Sequence, residues 1–161
     1  MSEIYLGNPN LKKANTPIQF SAEQIEEFLK CKNNPVYFAQ KYVKIVSLDE
    51  GLVPFQPYKF QEKLIKRFHK NRFNICKMPR QTGKSTTVVS YLLHYAVFND
   101  SVNIGILANK AATARELLGR LQTAYENLPK WMQQGVLVWN RGSLELENGS
   151  KILAASTSAS A

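Results

Sequence analysis

The sequence predicts an α/β fold built around a parallel sheet, preceded by a small helical N-terminal subdomain and ending in a β-hairpin. Three observations carry that expectation. The apolar run Phe73-Asn74-Ile75-Cys76-Lys77-Met78 leads through a tight turn into a long apolar helix pattern, a second strand-and-helix pair follows it, and Asn148-Gly149 separates two alternating runs. Strand, helix, strand, helix is the rhythm of parallel strands joined by right-handed crossovers, since parallel neighbours need a long connection between them.

Taken in order, the opening stretch to about Phe20 carries Gly7, Pro9, Asn15 and Pro17 without a period and reads as an extended arm. Ser21 and Gln24 have the spacing of a capping box, so a helix is expected through about Lys32, burying Ile25, Phe28 and Leu29. Asn34-Pro35 restarts a second helix, with a side-chain cap and a proline where its missing N–H costs nothing, and Phe38, Ala39 and Tyr42 form its apolar face. Val46 to Pro57 reads as a connector. Beyond it a helix from about Tyr58 to Asn71 places Phe60, Leu64 and Phe68 on one stripe and Lys59, Lys63, Lys66 and Lys70 on the other side. The ordinary reading of that basic stripe is a solvated face, and a DNA track is the sharper alternative. Phe73 to Met78 is then a strand, Lys84 to about Phe98 a helix, and Val102 to Leu107 a buried strand. A helix capped by Asn109 runs to about Asn127 with Leu117, Leu118 and Leu121 inward, and Ser143–Glu147 and Lys151–Ala155 form a hairpin around Asn148-Gly149.

The formal charge of +9 is uneven: residues 1–90 carry 15 basic and 7 acidic groups, residues 91–161 carry 6 and 5. Such a balance favours polyanionic partners, nucleic acid first, but specifies only non-specific attraction. Cys31 and Cys76 have neither CxxC spacing nor paired histidines near them, so both are expected as reduced, buried thiols and no metal site is expected. No apolar stretch is long enough to cross a membrane, and the N-terminus lacks the build of a secretory signal, so the chain is expected to be soluble and intracellular.

The chemistry is concentrated in Arg80-Gln81-Thr82-Gly83-Lys84-Ser85-Thr86, between a strand and a helix. That composition at that position makes a phosphate site: backbone N–H groups wrap the β-phosphate, the helix N-terminus adds partial positive charge, Lys84 reaches the β and γ oxygens, and the Ser85 hydroxyl ligates Mg²⁺. A Gly-Lys-Ser tripeptide alone is weak, and Met78 stands where the usual pattern has its first glycine. The strand before and the helix after restore the reading, and the expected architecture is a truncated P-loop NTPase three-layer sandwich with a parallel sheet, binding ATP and Mg²⁺. Gln61, beside Phe60, offers an acceptor and donors suited to the adenine edge, or is simply a surface glutamine. Arg80 could stabilise charge growing on the γ-phosphate or hold the loop through a salt bridge. Hydrolysis also needs an apolar strand ending in an acidic pair, and none of Asp100, Glu116, Glu126, Glu145 and Glu147 provides one.

Tyr5-Leu6-Gly7-Asn8-Pro9-Asn10-Leu11-Lys12-Lys13-Ala14-Asn15, Val36-Tyr37-Phe38-Ala39, Phe60-Gln61, Arg80 to Ser85, Gly105-Ile106-Leu107-Ala108 and Trp139-Asn140-Arg141-Gly142-Ser143 together resemble the large terminase subunit of T-even-type phages. That family also departs from the usual P-loop at the first glycine. The resemblance implies an ATP-driven motor in the host cytoplasm that docks transiently at the portal protein of a procapsid, forms a homo-oligomeric ring, works with a small terminase subunit and drives double-stranded DNA inward. It further implies Lys84 and Ser85 on phosphate and Mg²⁺, Gln61 on adenine and Arg80 as an arginine finger in cis, within a nucleotide site spanning Arg80, Gln81, Thr82, Gly83, Lys84, Ser85 and Thr86. On this reading residues 1–50 are an arm and helical subdomain and 51–161 an incomplete ATPase domain. The acidic pair and nuclease carboxylates are expected beyond Ala161, Ser156–Ala161 starts the loop toward them, and the fragment alone is expected to hydrolyse little or no ATP. The competing readings are a helicase or restriction-type DNA translocase and a non-hydrolysing DNA-binding module.

Overall fold

The structure is a computed structural model, and it describes residues 3–47 and 49–157. Its centre is a four-stranded mixed sheet in the order β5-β8-β7-β6, made of Asn103–Ala108, Lys151–Ser156, Ser143–Leu146 and Val136–Trp139. Only β5 and β8 run parallel; β7 is antiparallel to both β8 and β6. The parallel-sheet expectation is therefore corrected to a mixed α/β fold. The reason is local: Asn148-Gly149, with Gly149 at φ +81°, turns β7 straight into β8, and a turn that short can only reverse the chain. The strand β6 has no counterpart in the sequence expectation. It is joined to β7 by a turn in which the Asn140 side chain accepts the N–H groups of Gly142 and Ser143, both at 2.8 Å.

Helix α5 (Ala111–Glu126) packs on one face of the sheet, with Leu118 and Leu121 fully buried against Ile104, Ile106, Leu144 and Ile152. Its cap is Lys110, without a side-chain bond, so the expected Asn109 cap lies one residue too early. Alternation along β5 leaves Gly105 and Leu107 on the opposite, exposed face, together with Leu153 of β8, so β5 is half-buried and not the fully buried strand expected. Helix α4 (Lys84–Phe98) has the bounds its pattern predicts and packs on α5, and α3 (Lys59–Lys70) and α2 (Pro35–Tyr42) pack on α4 in turn. An aromatic cluster of Phe38, His94 and Phe98 joins α2 to α4.

At the N-terminus, α1 (Ala22–Asn33) begins with the expected Ser21–Gln24 capping box, and Asn34 caps α2 by accepting from the Tyr37 N–H at 3.0 Å. The buried face of α1 is not the expected one: Ile25 and Leu29 are half exposed, Phe28 is partly buried and Cys31 is fully buried. The arm is a small antiparallel ladder, β1 (Ile4–Tyr5) with β2 (Asn8–Lys12), and not featureless. The Glu147 carboxylate staples it to the sheet, accepting from Lys12 Nζ (2.8 Å), the Asn15 N–H and the Gly135 N–H (both 2.7 Å). The expected connector likewise contains a hairpin, β3 (Lys44–Ser47) with β4 (Gly51–Pro54), whose pairing carries it across the expected boundary at residue 50.

The largest departure is Phe73 to Met78, which forms no strand. Ile75 is fully exposed, Phe73 is 82% exposed, and Cys76, expected as buried, is exposed. A strand exists only through pairing, and among the described residues none is paired with this segment. The small-residue stretch expected to open a loop lies mostly outside the described residues, from Ser158 onward. Among the described residues no helix is long and apolar enough to cross a membrane, and no group of three His, Cys, Asp or Glu side chains is placed to hold a metal ion.

Candidate functional site

The loop from Pro79 to Gly83 is built by two left-handed residues, Gln81 at φ +60° and Gly83 at φ +71°. Gly83 is the cap residue of α4, and its carbonyl accepts the first helical bond from the Thr87 N–H at 3.0 Å and a second from the Thr87 hydroxyl at 2.9 Å. Glycine is required there twice over. A side chain in the left-handed region is strained, and a β-carbon on Gly83 would stand 2.5 Å from Gln61 Nε2. No acid lies in the first turn of α4, so the partial positive charge of its N-terminus and its free N–H groups open onto the loop without a competing carboxylate.

Lys84, the first residue of α4, folds back over the loop, its Nζ donating to the carbonyl of Met78 at 3.1 Å and to that of Pro79. The ammonium thus lies against the carbonyls of Met78 and Pro79, at the start of the loop that leads into α4. The Thr82 hydroxyl closes the same turn on the Pro79 carbonyl at 3.0 Å. Ser85 and Gln81 are exposed beside it, and Thr86 lines the neighbouring cavity. Arg80 is exposed and enters no ion pair among the described residues, so the loop-holding salt bridge weighed for it is not formed.

Gln61 is brought to this loop from α3. Contrary to the expected stripe of Phe60, Leu64 and Phe68, the buried residues of α3 are Gln61 and Ile65, while Phe60 is 44% exposed. Gln61 Oε1 accepts the Tyr58 N–H at 2.8 Å and Nε2 donates to the Gly83 carbonyl at 3.3 Å, which ties the start of α3 to the start of α4. It is therefore not a surface glutamine. Both ends of its amide are in use, so any contact to an adenine edge would exchange one of these bonds.

Beside the loop lies a cavity of about 510 Å³, lined by Ile45, Phe55, Tyr58, Phe60, Gln61 and Gly83 among others. Tyr58 and Phe60 stack with centroids 5.8 Å apart and planes 11° from parallel. The loop thus adjoins a mainly apolar chamber with the amides of Gln56, Gln61 and Gln81 at its wall, of a size suited to a small organic ligand. Sequence reasoning placed Gln61 and the loop but missed Tyr58, Ile45 and Phe55. The aromatic-x-aromatic spacing just before Gln61 could have pointed to Tyr58, whereas Ile45 and Phe55 arrive only through the folding of the β3–β4 hairpin.

The acids that follow the loop are engaged elsewhere. Glu116 pairs with Arg120 at 2.6 Å, Glu145 with Lys151 at 3.2 Å and Glu147 with Lys12 at 2.8 Å, while Glu126 accepts from Asn8 at 3.1 Å. Glu116 also lines a cavity that reaches Thr86 at the end of the loop.

The fold is similar to that of the HK97 bacteriophage large terminase, whose crystal structure superposes with a TM-score of 0.64 at 18% identity over 81% of this chain. The chain spans 28% of the length of that terminase. The family model described as the terminase large subunit, T4likevirus-type, N-terminal, matches residues 75–161, just over half of the chain and including the whole loop from Pro79 to Thr86. On that match the chain belongs to the T4-like type of terminase large subunits, carrying their N-terminal region.

Proposed function

We propose that this chain is the nucleotide-binding portion of a viral DNA-packaging motor, with ATP and Mg²⁺ held at the Pro79–Thr86 loop. The observation that carries the reading is the junction of three features: a left-handed Gly83, an acid-free helix N-terminus bearing Lys84, and the adjoining aromatic chamber tied in by Gln61. The residues fit such a group. The N–H groups at the start of α4 would take the β-phosphate, Lys84 would leave the Met78 and Pro79 carbonyls for the β and γ oxygens, and the Ser85 hydroxyl would ligate Mg²⁺. Tyr58, Phe60 and Gln61 would receive the base, and the exposed Arg80, which enters no ion pair among the described residues, would be available to the γ-phosphate as a finger in cis. Bound ATP supplies the hydrolysable phosphoanhydride; the rest of the work falls to the protein's own groups.

The complete P-loop sandwich belongs to the same proposal. The exposed apolar segment Phe73–Met78, the outer face of α4 with Val88 and Tyr95, and the exposed Leu107 of β5 are surfaces that further parallel strands would cover, restoring the strand read from the sequence. Family membership supports double-stranded DNA, a portal, a small subunit and a ring of copies as partners of the whole protein, in the host cytoplasm and transiently at the procapsid. Nuclease activity, too, is proposed for the whole protein only.

The experiment is a thermal melt with and without Mg²⁺ and a non-hydrolysable ATP analogue, paired with a turnover assay. At a ligand concentration 100 times Kd, binding adds about 2.7 kcal/mol, a rise of several degrees in Tm that Lys84→Ala abolishes. Turnover stays at background because no acidic pair is present. Absence of any nucleotide-dependent rise would overturn the proposal in favour of a binding module, and DNA-stimulated turnover lost on Lys84→Ala would overturn the expected inactivity.

A further inference from the structure

We propose that the outer face of α3 is a docking surface for the phosphate backbone of double-stranded DNA. This rests on the DNA-packaging reading for its partner, but on a different part of the molecule for its observation.

At 3.6 residues per turn, Lys59, Lys63, Lys66 and Lys70 fall within an arc of about 60° along the whole length of the helix. All four are exposed, and among the described residues none enters an ion pair. Arg67 stands at the edge of the same face, and exposed Arg72 and Lys77 continue the positive charge toward the loop. The single acid of the helix, Glu62, stands at the other edge of the face, one turn before Lys66, where its carboxylate accepts from Gln40 of α2 at 3.0 Å and enters no ion pair among the described residues.

A merely solvated helix face ordinarily mixes signs, because opposite charges three or four residues apart support a helix and like charges there weaken it. This face does the reverse. Lys59 with Lys63 and Lys66 with Lys70 are like-charge pairs four apart, and Lys63 with Lys66 a pair three apart; the one acid within reach, Glu62, is bonded to Gln40 and pairs with none of them among the described residues. A polyanion relieves that repulsion. Twelve residues at 1.5 Å each make a rod of about 18 Å, which lies alongside about five phosphates of one DNA strand. No base-reading geometry is needed, so the contact is indifferent to sequence, as a surface that tracks along DNA must be.

The position of the stripe matters for a motor. Gln61, on the opposite side of α3, is the residue bonded to Gly83 of the loop. One rigid helix therefore touches the nucleotide loop with its buried side and presents lysines with its outer side, so DNA can occupy the stripe without obstructing the nucleotide.

The test is fluorescence anisotropy of the full 161-residue chain with a labelled 20-base-pair duplex, from 50 to 200 mM NaCl. Two charge-matched variants are compared with the parent: one with Lys59, Lys63, Lys66 and Lys70 changed to Gln, the other with Lys32, Lys110, Arg115 and Arg141 changed to Gln. Glutamine keeps helix propensity, and circular dichroism checks the fold. With four phosphate-binding ammonium groups removed, the slope of log affinity against log salt becomes shallower by about 3 to 4 in the stripe variant, and the parent loses about 100-fold more affinity over that salt range than the variant does. The control variant keeps the steep slope. An unchanged slope in the stripe variant, equal losses in both variants, or no binding by the parent at 50 mM would each overturn the proposal. So would polyglutamate competing as well as duplex at equal charge, which would make the partner an acidic protein. The ATP-dependent Tm shift is measured on the same samples: its loss with the stripe intact sinks the nucleotide proposal and leaves this one standing.

Discussion

Gly83→Ala puts the geometry of the loop under direct strain. The new methyl group is asked to occupy φ +71°, which costs about 1–2 kcal/mol for a residue with a β-carbon. It also meets Gln61 Nε2 at 2.5 Å, the far end of a side chain at the cavity wall, so the clash is relieved only if that amide moves away. Retreat means surrendering the bonds to the Tyr58 N–H and the Gly83 carbonyl, each contributing about 1 kcal/mol. The expected total is about 3–4 kcal/mol, or a fall in Tm of roughly 6–16 °C for a chain of this size. Urea unfolding of the parent, Gly83→Ala, Gln61→Ala and the double variant separates the two contributions. In the Gln61→Ala background the clash is gone and Gly83→Ala should cost only its backbone part, leaving a coupling of about 1–2 kcal/mol between the sites. Additive effects would refute the contact, and a Gly83→Ala chain as stable as the parent would refute the left-handed loop itself.

Three further outcomes are expected. His94 is almost fully buried, and burial pushes its pKa down from 6.5 to about 4, although its Nε2 lies 2.9 Å from the Cys31 carbonyl. Because the folded value is the lower one, stability is complete above pH 6.5 and falls by roughly 3 kcal/mol on going down to about pH 4; His94→Phe should flatten that slope in urea titrations at pH 7, 5.5 and 4.5, and an unchanged slope counts against a neutral buried ring. For Glu147, burial alone would raise the carboxyl, but the hydrogen bonds from Lys12, Asn15 and Gly135 and the lysine charge outweigh it and hold the group below its ordinary 4.5. Its contribution is therefore present above pH 4.5 and lost as pH falls through the lower folded value; Glu147→Ala should cost about 2 kcal/mol at pH 7 and quicken proteolysis of the arm, and equal digestion rates would argue against the staple. Of the two thiols, exposed Cys76 should react with a disulfide reagent in seconds, while buried Cys31, its pKa pushed up to about 12 by burial and the nearby Glu27, should react only on unfolding; one slow phase from both would contradict the exposed loop approach.

Legibility of the site followed the range of the interactions that make it. The Gly83-Lys84-Ser85 turn and the bounds of α4 could be read directly, because a left-handed glycine opening an apolar helix is a local device. Gln61 was legible as a residue type. Its partners were not, since burying Gln61 in place of Phe60 reflects which side of α3 meets α4. The same limit explains Ile25 and Leu29: the helix period is clear, but the face that α2 covers is decided by packing.

The sequence by itself determined the capping box at Ser21, the cap at Asn34, the turn at Gly83 that opens α4 and the hairpin at Asn148-Gly149, all of which close within a few residues and carry their own turn chemistry. It also placed four lysines in line on α3, since a helix repeats every 3.6 residues wherever it lies. Only the tertiary structure decided that β5 pairs with β8 across more than 40 residues, that Glu147 holds the arm, and that Phe73–Met78 pairs with no strand among the described residues. The physical reason is that a strand is stabilised by its neighbour, and no property of the six residues themselves says whether a neighbour will be there.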